Sequence, residues 1–164
     1  MNGWTEGKLM LALAGGEFRS RLLFPQADFA GGRLDLLALS RSGYATEYEF
    51  KISRGDWNAD REKSKWRHPD RRYIARFFYV VPDDLADRIP EWVPAEHGVI
   101  AVSDGWGVVA RVKRDARRLK AERVPDAEVS RLYRNLYYRF WDQQVRLLRE
   151  ARDRMQPKQS RAAA

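Results

Sequence analysis

The sequence predicts an α/β protein, and three observations carry that expectation. Residues 33–52 hold two strand-like runs joined by a turn. Arg76 to Val81 is a continuous apolar run of the kind that fills a strand buried on both faces. Helix-like segments flank these runs, and the last of them is long and amphipathic.

Taken in order, the first helix spans about Thr5 to Ala14, with Thr5 as N-cap and Gly15-Gly16 as the stop. Residues 17–32 predict only a short strand near Leu22–Phe24 and a glycine-ended loop. Arg33 to Ser40 reads as a strand, Arg41-Ser42-Gly43 as a turn, and Tyr44 to Ile52 as the returning strand. A helix starts at Ser53, where Ser53 and Asp56 form a capping-box-like pair, and Pro69 marks its end. After the Arg76–Val81 strand come a short helix near Asp83–Arg88 and a stretch containing Pro90 and Pro94. A strand at Val99–Val102, a turn at Asp104-Gly105 and a partner strand at Val108–Val112 complete the sheet. Pro125-Asp126 then opens a helix running to about Met155. Its apolar stripe is Val129, Leu132, Tyr133, Leu136, Phe140, Leu147 and Ala151, broken by Gln144, and suits packing on the domain or on a second copy. Residues from Gln156 onward read as disordered.

Composition bounds the function. A chain of 164 residues with 44% apolar content is enough for one core plus an appendage. There is no cysteine, which removes disulfides and thiolate zinc sites. His68 and His97 are the only histidines, so a histidine-based metal cluster is poorly supported. No charged N-terminal leader or run of about 18 apolar residues is present, which makes a cytoplasmic protein without membrane spans the expectation.

The net charge of +8 is unevenly placed. Residues 1–110 carry 15 Lys/Arg against 16 Asp/Glu, and residues 111–164 carry 16 against 7. The surplus therefore belongs to the last third. Such a region attracts phosphate backbones through counterion release, whatever their sequence. Arg111, Lys113, Arg114, Arg117 and Arg118 begin it. Lys63 and Lys65, in the helix after the second strand, are further candidates for backbone contact, whereas Trp57 and Trp66 fit the core.

The chemistry-bearing residues gather on the hairpin. Period two puts Glu47, Glu49 and Lys51 on one face of the second strand, and Tyr48, Phe50 and Ile52 on the other. Asp35, arriving on the first strand, can lie beside Glu49. Two carboxylates suit a hard divalent cation, and a lysine can orient water or stabilise charge building on a phosphate. A lone Glu-x-Lys is weak evidence, since Glu6-Gly7-Lys8 repeats it without an aspartate strand. The added aspartate, hairpin spacing and capped helix make the combination specific. Glu47 shares this face about 7 Å along the strand, and suits an outer or merely solvated position.

Asp35 with Glu49-Phe50-Lys51 resembles the PD-(D/E)xK nuclease superfamily, and the string from Gly43 to Asp56 resembles more closely its MmcB-like DNA repair branch. Arg76–Pro82 and Gly98–Val102 fit the same branch, and the likeness covers about residues 4–114. It implies a restriction-endonuclease-like core with a mixed sheet flanked by helices, placed over 1–124; the basic helix at 125–155 and the tail at 156–164 are read from the residues alone. It also implies a metal-dependent DNA nuclease in repair or phage DNA metabolism. Asp35, Glu49 and the Phe50 main chain would bind Mg2+ or Mn2+, and Lys51 would assist the water. Glu6, on the first helix, is a candidate fourth site residue. The superfamily's proline is absent, Leu34 standing before Asp35. A non-catalytic DNA-binding scaffold and an RNA-directed nuclease are the alternatives. DNA, a second copy through the long helix and a repair-protein partner are the expected associations.

Overall fold

A computed structural model describes residues 3–15, 21–62, 69–105 and 107–155. The chain divides into two compact units, Met1–Pro125 and Asp126–Ala164.

The first unit is built on a six-stranded sheet in the order β1-β2-β3-β4-β5-β6. The strands are β1 (Leu22–Phe29), β2 (Gly32–Leu39), β3 (Ala45–Phe50), β4 (Ile74–Pro82), β5 (Gly98–Asp104) and β6 (Val108–Arg114). The pairs β3–β4 and β4–β5 are parallel and the other three are antiparallel, so the sheet is mixed. Parallel neighbours need crossovers. These contain α2 (Arg54–Ala59) between β3 and β4, and α3 (Asp83–Ala86) between β4 and β5.

Alternation along the strands divides the core into two layers. On one face Leu36, Ala38, Tyr48, Phe50, Phe78, Val80 and Ile100 meet Leu9, Ala12 and Leu13 of α1 (Glu6–Gly15). On the other, Phe77, Tyr79, Val81, Val99 and Ala101 meet Trp57 of α2 and Ala86 of α3. Trp57 is fully buried, as the sequence led us to expect, while Trp66 lies outside the described residues.

Two elements differ from their sequence-based expectation. Strand β1 runs on to Phe29 and forms a full hairpin with β2, rather than ending at Phe24 in a loop. Ala30 and Gly31 both have positive φ (50° and 80°), the backbone that a two-residue hairpin turn requires. Ala-Gly is not a strong signal for such a turn, which explains the omission. The helix from Ser53 is N-capped by Ser53 as expected, its Oγ accepting from Asp56 N at 3.1 Å, but the Asp56 carboxylate reaches back to Ile52 N at 3.3 Å rather than to Ser53. It ends after six residues, however, and tightens into a 3-10 turn at Asp60–Glu62. Asp60 turns inward there and is wholly buried.

The second unit contains α4 (Asp126–Met155), with the expected helix start and end. Of the expected stripe, Tyr133, Phe140 and Leu147 are exposed, as are the neighbouring Tyr137, Tyr138, Trp141 and Leu148. The expected tail from Gln156 lies outside the described residues.

Candidate active site

Strands β2 and β3 pair antiparallel with Leu36 opposite Tyr48 and Leu37 opposite Glu47. One further step along that register brings Asp35 beside Glu49, on the face of the sheet that carries Trp57 and Tyr79. Asp35 Oδ2 accepts a hydrogen bond from the Phe50 main-chain N–H at 2.8 Å, which ties the aspartate to the following strand. Burial, and next the Glu49 charge, push the Asp35 carboxyl up to about 6. The Phe50 hydrogen bond and Lys51 act the other way, and Glu6 adds to the repulsion. Glu6 is in the first turn of α1, where Thr5 caps the helix by accepting from Lys8 N at 3.3 Å.

Lys51 is almost completely buried and is surrounded by acids. Its Nζ donates to Glu49 Oε1 at 2.9 Å and lies 3.2 Å from Asp60 Oδ1 and 3.8 Å from Asp56 Oδ1. Its main-chain N–H bonds the Val80 carbonyl at 3.1 Å, fixing the end of β3 against β4. Asp60 is held in turn by Tyr79, whose hydroxyl donates to Asp60 Oδ2 at 2.8 Å. Burial, reinforced by the Asp60 charge, raises the Tyr79 phenol pKa, keeping it a neutral donor.

The sequence signals did not reveal Asp60 and Asp56 as neighbours of the lysine, nor Tyr79 as the support of Asp60. Asp60 sits in what reads as a helix interior, and Tyr79 in what reads as a plain core strand. Their role depends on β3 and β4 being adjacent and parallel, with Glu49 opposite Tyr79. Glu47, for which a merely solvated position was one of two expectations, is fully buried and accepts from Arg71 Nη1 at 2.8 Å. The whole polar row of β3 is therefore an inner layer, and the solvated alternative for Glu47 does not hold. Gln26 is a further unexpected feature. The β1–β2 register places it opposite Asp35, and its φ of 50° puts a kink in the edge strand beside the aspartate.

Asp35, Glu49 and the Phe50 main chain are thus brought together, with Lys51 adjoining Glu49. Among the described residues, no three or more His, Asp or Glu side chains are grouped so as to hold a metal ion. A cation here would rest on two carboxylates and main-chain oxygen.

The candidate nucleic-acid contacts are scattered. Lys63 and Lys65 lie outside the described residues. Arg111 and Lys113 are exposed on β6, with Lys113 Nζ 2.7 Å from Asp87. Arg114 is spent on the fold, donating to the carbonyls of His97 (2.8 Å) and Pro94 (3.1 Å). Arg117 is exposed, and Arg118 lies over the Tyr44 ring at 4.8 Å.

The sequence profile of the MmcB-like DNA repair proteins matches residues 21–137. The chain belongs to the MmcB-like DNA repair protein family. The match takes in Asp35, Glu49, Lys51, Asp60 and Tyr79, and it reaches into α4, beyond the expected limit near residue 114. Helix α1, with Glu6, precedes it. Among solved structures, this MmcB-like chain is similar to the SPO1766 protein of unknown function from Silicibacter pomeroyi. The two are 22% identical, with a TM-score of 0.56 over 98% of this chain and 100% of that one, a likeness of fold. Among curated proteins there is no significant match. Among the described residues, no helix is long and apolar enough to cross a membrane.

Proposed function

We propose that this MmcB-like protein is a metal-dependent DNA nuclease of the PD-(D/E)xK type, acting in DNA repair. The observation that carries the reading is Asp35 beside Glu49, with the aspartate pushed up to about 6 by burial and by that neighbour. Two carboxylates held together against their repulsion are what a divalent cation relieves, so the residues fit one. Asp35, Glu49 and the Phe50 carbonyl would hold Mg2+ or Mn2+, and the ion would supply charge neutralisation at the phosphate and a water of lowered pKa.

The chain's own residues do the rest. The Phe50 N–H fixes the Asp35 carboxylate, and Asp60, held by Tyr79, fixes Lys51 from behind. Lys51, ion-paired to carboxylates, is placed to donate a hydrogen bond toward water or phosphate oxygen. The exposed basic residues after 110, Arg111 and Arg117 among them, hold the strand through its phosphates, with Arg114 kept for the fold.

The test is cleavage of labelled single-stranded, duplex and forked DNA with Mg2+ or Mn2+, comparing wild type with Asp35→Asn and Lys51→Ala. Metal-dependent cutting lost in both variants is the expected result. A second reading, a DNA-binding repair scaffold without catalysis, is favoured by one observation: Lys51 is already neutralised by carboxylates inside the fold. Under that reading DNA binds without being cut, and both variants bind as wild type does.

A further inference from the structure

A second polar site lies at the opposite end of β3 and on the opposite face of the sheet. A cleft of about 180 Å³ there is lined by Arg21, Arg76 and Arg118 and by the hydroxyl-bearing Ser40, Ser42 and Thr46, with Tyr44 at its side. Among the described residues, three guanidinium groups and no acidic side chain line it.

Each guanidinium is held in place by a contact of its own. Arg21 Nη1 donates to Thr46 Oγ1 at 2.9 Å and to the Tyr48 hydroxyl at 3.3 Å. Arg76 Nη1 is 3.1 Å and 3.3 Å from the two Asp115 oxygens, outside the lining. Arg118 lies on the face of Tyr44 at 4.8 Å. Residues 117–124 deliver Arg118 by crossing the N-terminal edge of the parallel strands. Arg117 N bonds Glu96 O, Leu119 N bonds Ala75 O, Glu122 N bonds Arg72 O and Val124 N bonds Gly43 O, each at 2.9 Å. The strap is thus tied down at four points along a stretch with no helix or strand of its own.

We propose that this cleft is a phosphate-binding site, separate from the carboxylate pair. Planar guanidinium forks match phosphate oxygens two at a time, and donors already fixed lose little freedom on binding. Among the described residues, Asp115 offsets one of the three charges. The volume suits a phosphate group with part of its sugar rather than a drug-sized molecule, for which about 300 Å³ or more is usual. Thr46 and Tyr48 face the opposite side of β3 from Glu49, and Thr46 lies about 10 Å along the strand from it. One phosphate group therefore cannot occupy both sites. The group comes either from a nucleic-acid strand or from a free mononucleotide or phosphate ion.

The test is titration of the full chain in EDTA, so that failure of the nuclease reading does not affect it. The probes are inorganic phosphate, thymidine 5′-monophosphate, and a thymidine hexanucleotide with and without a 5′-phosphate. Wild type, Arg118→Ala, Arg76→Gln and Asp35→Asn are compared, each checked for unchanged thermal unfolding. Arg118 is exposed, so its loss leaves the fold intact. The expected result is a loss of about tenfold or more in affinity with Arg118→Ala and Arg76→Gln, and none with Asp35→Asn. Preference for the phosphorylated hexanucleotide identifies a strand end. Equal loss on both hexanucleotides, with a shallower salt dependence, identifies internal strand phosphates. Loss confined to phosphate and the mononucleotide identifies the small ligand. Unchanged binding of every probe in both arginine variants, or no binding by wild type, overturns the site.

Discussion

Lys51 Nζ and Asp60 Oδ1 lie 3.2 Å apart, with the lysine side chain 3% exposed and the aspartate side chain fully buried. The pair joins the end of β3 to the turn that closes α2, and Tyr79 supports it from β4. A buried ion pair of this kind contributes little net stability when intact, because desolvation offsets the attraction. Breaking it is another matter, since one charge is then left buried.

Asp60→Leu should therefore destabilise the protein by about 3–5 kcal/mol, and Tyr79→Phe by about 1–3 kcal/mol. Urea unfolding at pH 7.5 measures both. If Asp60→Leu unfolds at the wild-type midpoint, the lysine is not held as described.

Asp35 should behave as a metal-free liability. Its folded pKa of about 6 lies above the ordinary 3.8, so the native state binds its proton more tightly than the unfolded chain does. The contribution is fully present below about 4 and is lost as pH rises through about 6. In chelator at pH 8, Asp35→Asn should be more stable than wild type by about 1–3 kcal/mol, since asparagine can still accept from Phe50 N–H. At pH 4 the two should unfold alike. Loss of stability in the variant at pH 8 would mean that the carboxylate is not under strain.

His97 carries the opposite sign. Burial beside the Phe77 ring, 4.5 Å between centroids, lowers its pKa from 6.5 to about 4. Stability from the neutral imidazole is present above 6.5 and is lost as pH falls toward 4, by up to about 3 kcal/mol. Comparing urea midpoints of wild type and His97→Gln at pH 7.5 and 4.5 isolates that loss. A constant difference between the two proteins at both pH values would remove His97 from the acid response.

Gly98 opens β5 under the Phe78 ring. A Cβ there would overlap Phe78 Cδ1 and Cε1 and come within 2.8 Å of the Ala116 main-chain nitrogen. Gly98→Ala should cost about 1–3 kcal/mol by overpacking, read as a lowered melting temperature. An unchanged melting temperature would show that β5 and the strap can separate at no cost.

Local chemistry was enough to place much of this architecture. Glu49 and Lys51 share a face because a strand has period two, Ser53 caps the Asp56 N–H because they are three residues apart, and Asp35 reaches Glu49 because a short turn closes the hairpin. The strand at Arg76–Val81 was legible from its continuous apolar run. Family membership followed from these short-range patterns.

Tertiary structure decided the rest. No local signal marks Asp60 or Tyr79, since the meeting of Asp60 with Lys51 and with Tyr79 depends on the parallel pairing of β3 and β4 across a crossover. The Ala30-Gly31 turn extends β1 despite weak turn chemistry, because the register with β2 supplies the pairing. Arg21, Arg76 and Arg118 are 55 and 42 residues apart along the chain; the pairing of β3 with β4 and the strap across the strand ends bring them together. Periodicity and capping act within a few residues. Charges this distant in sequence meet only where backbone hydrogen bonds between separate segments have fixed the path of the chain.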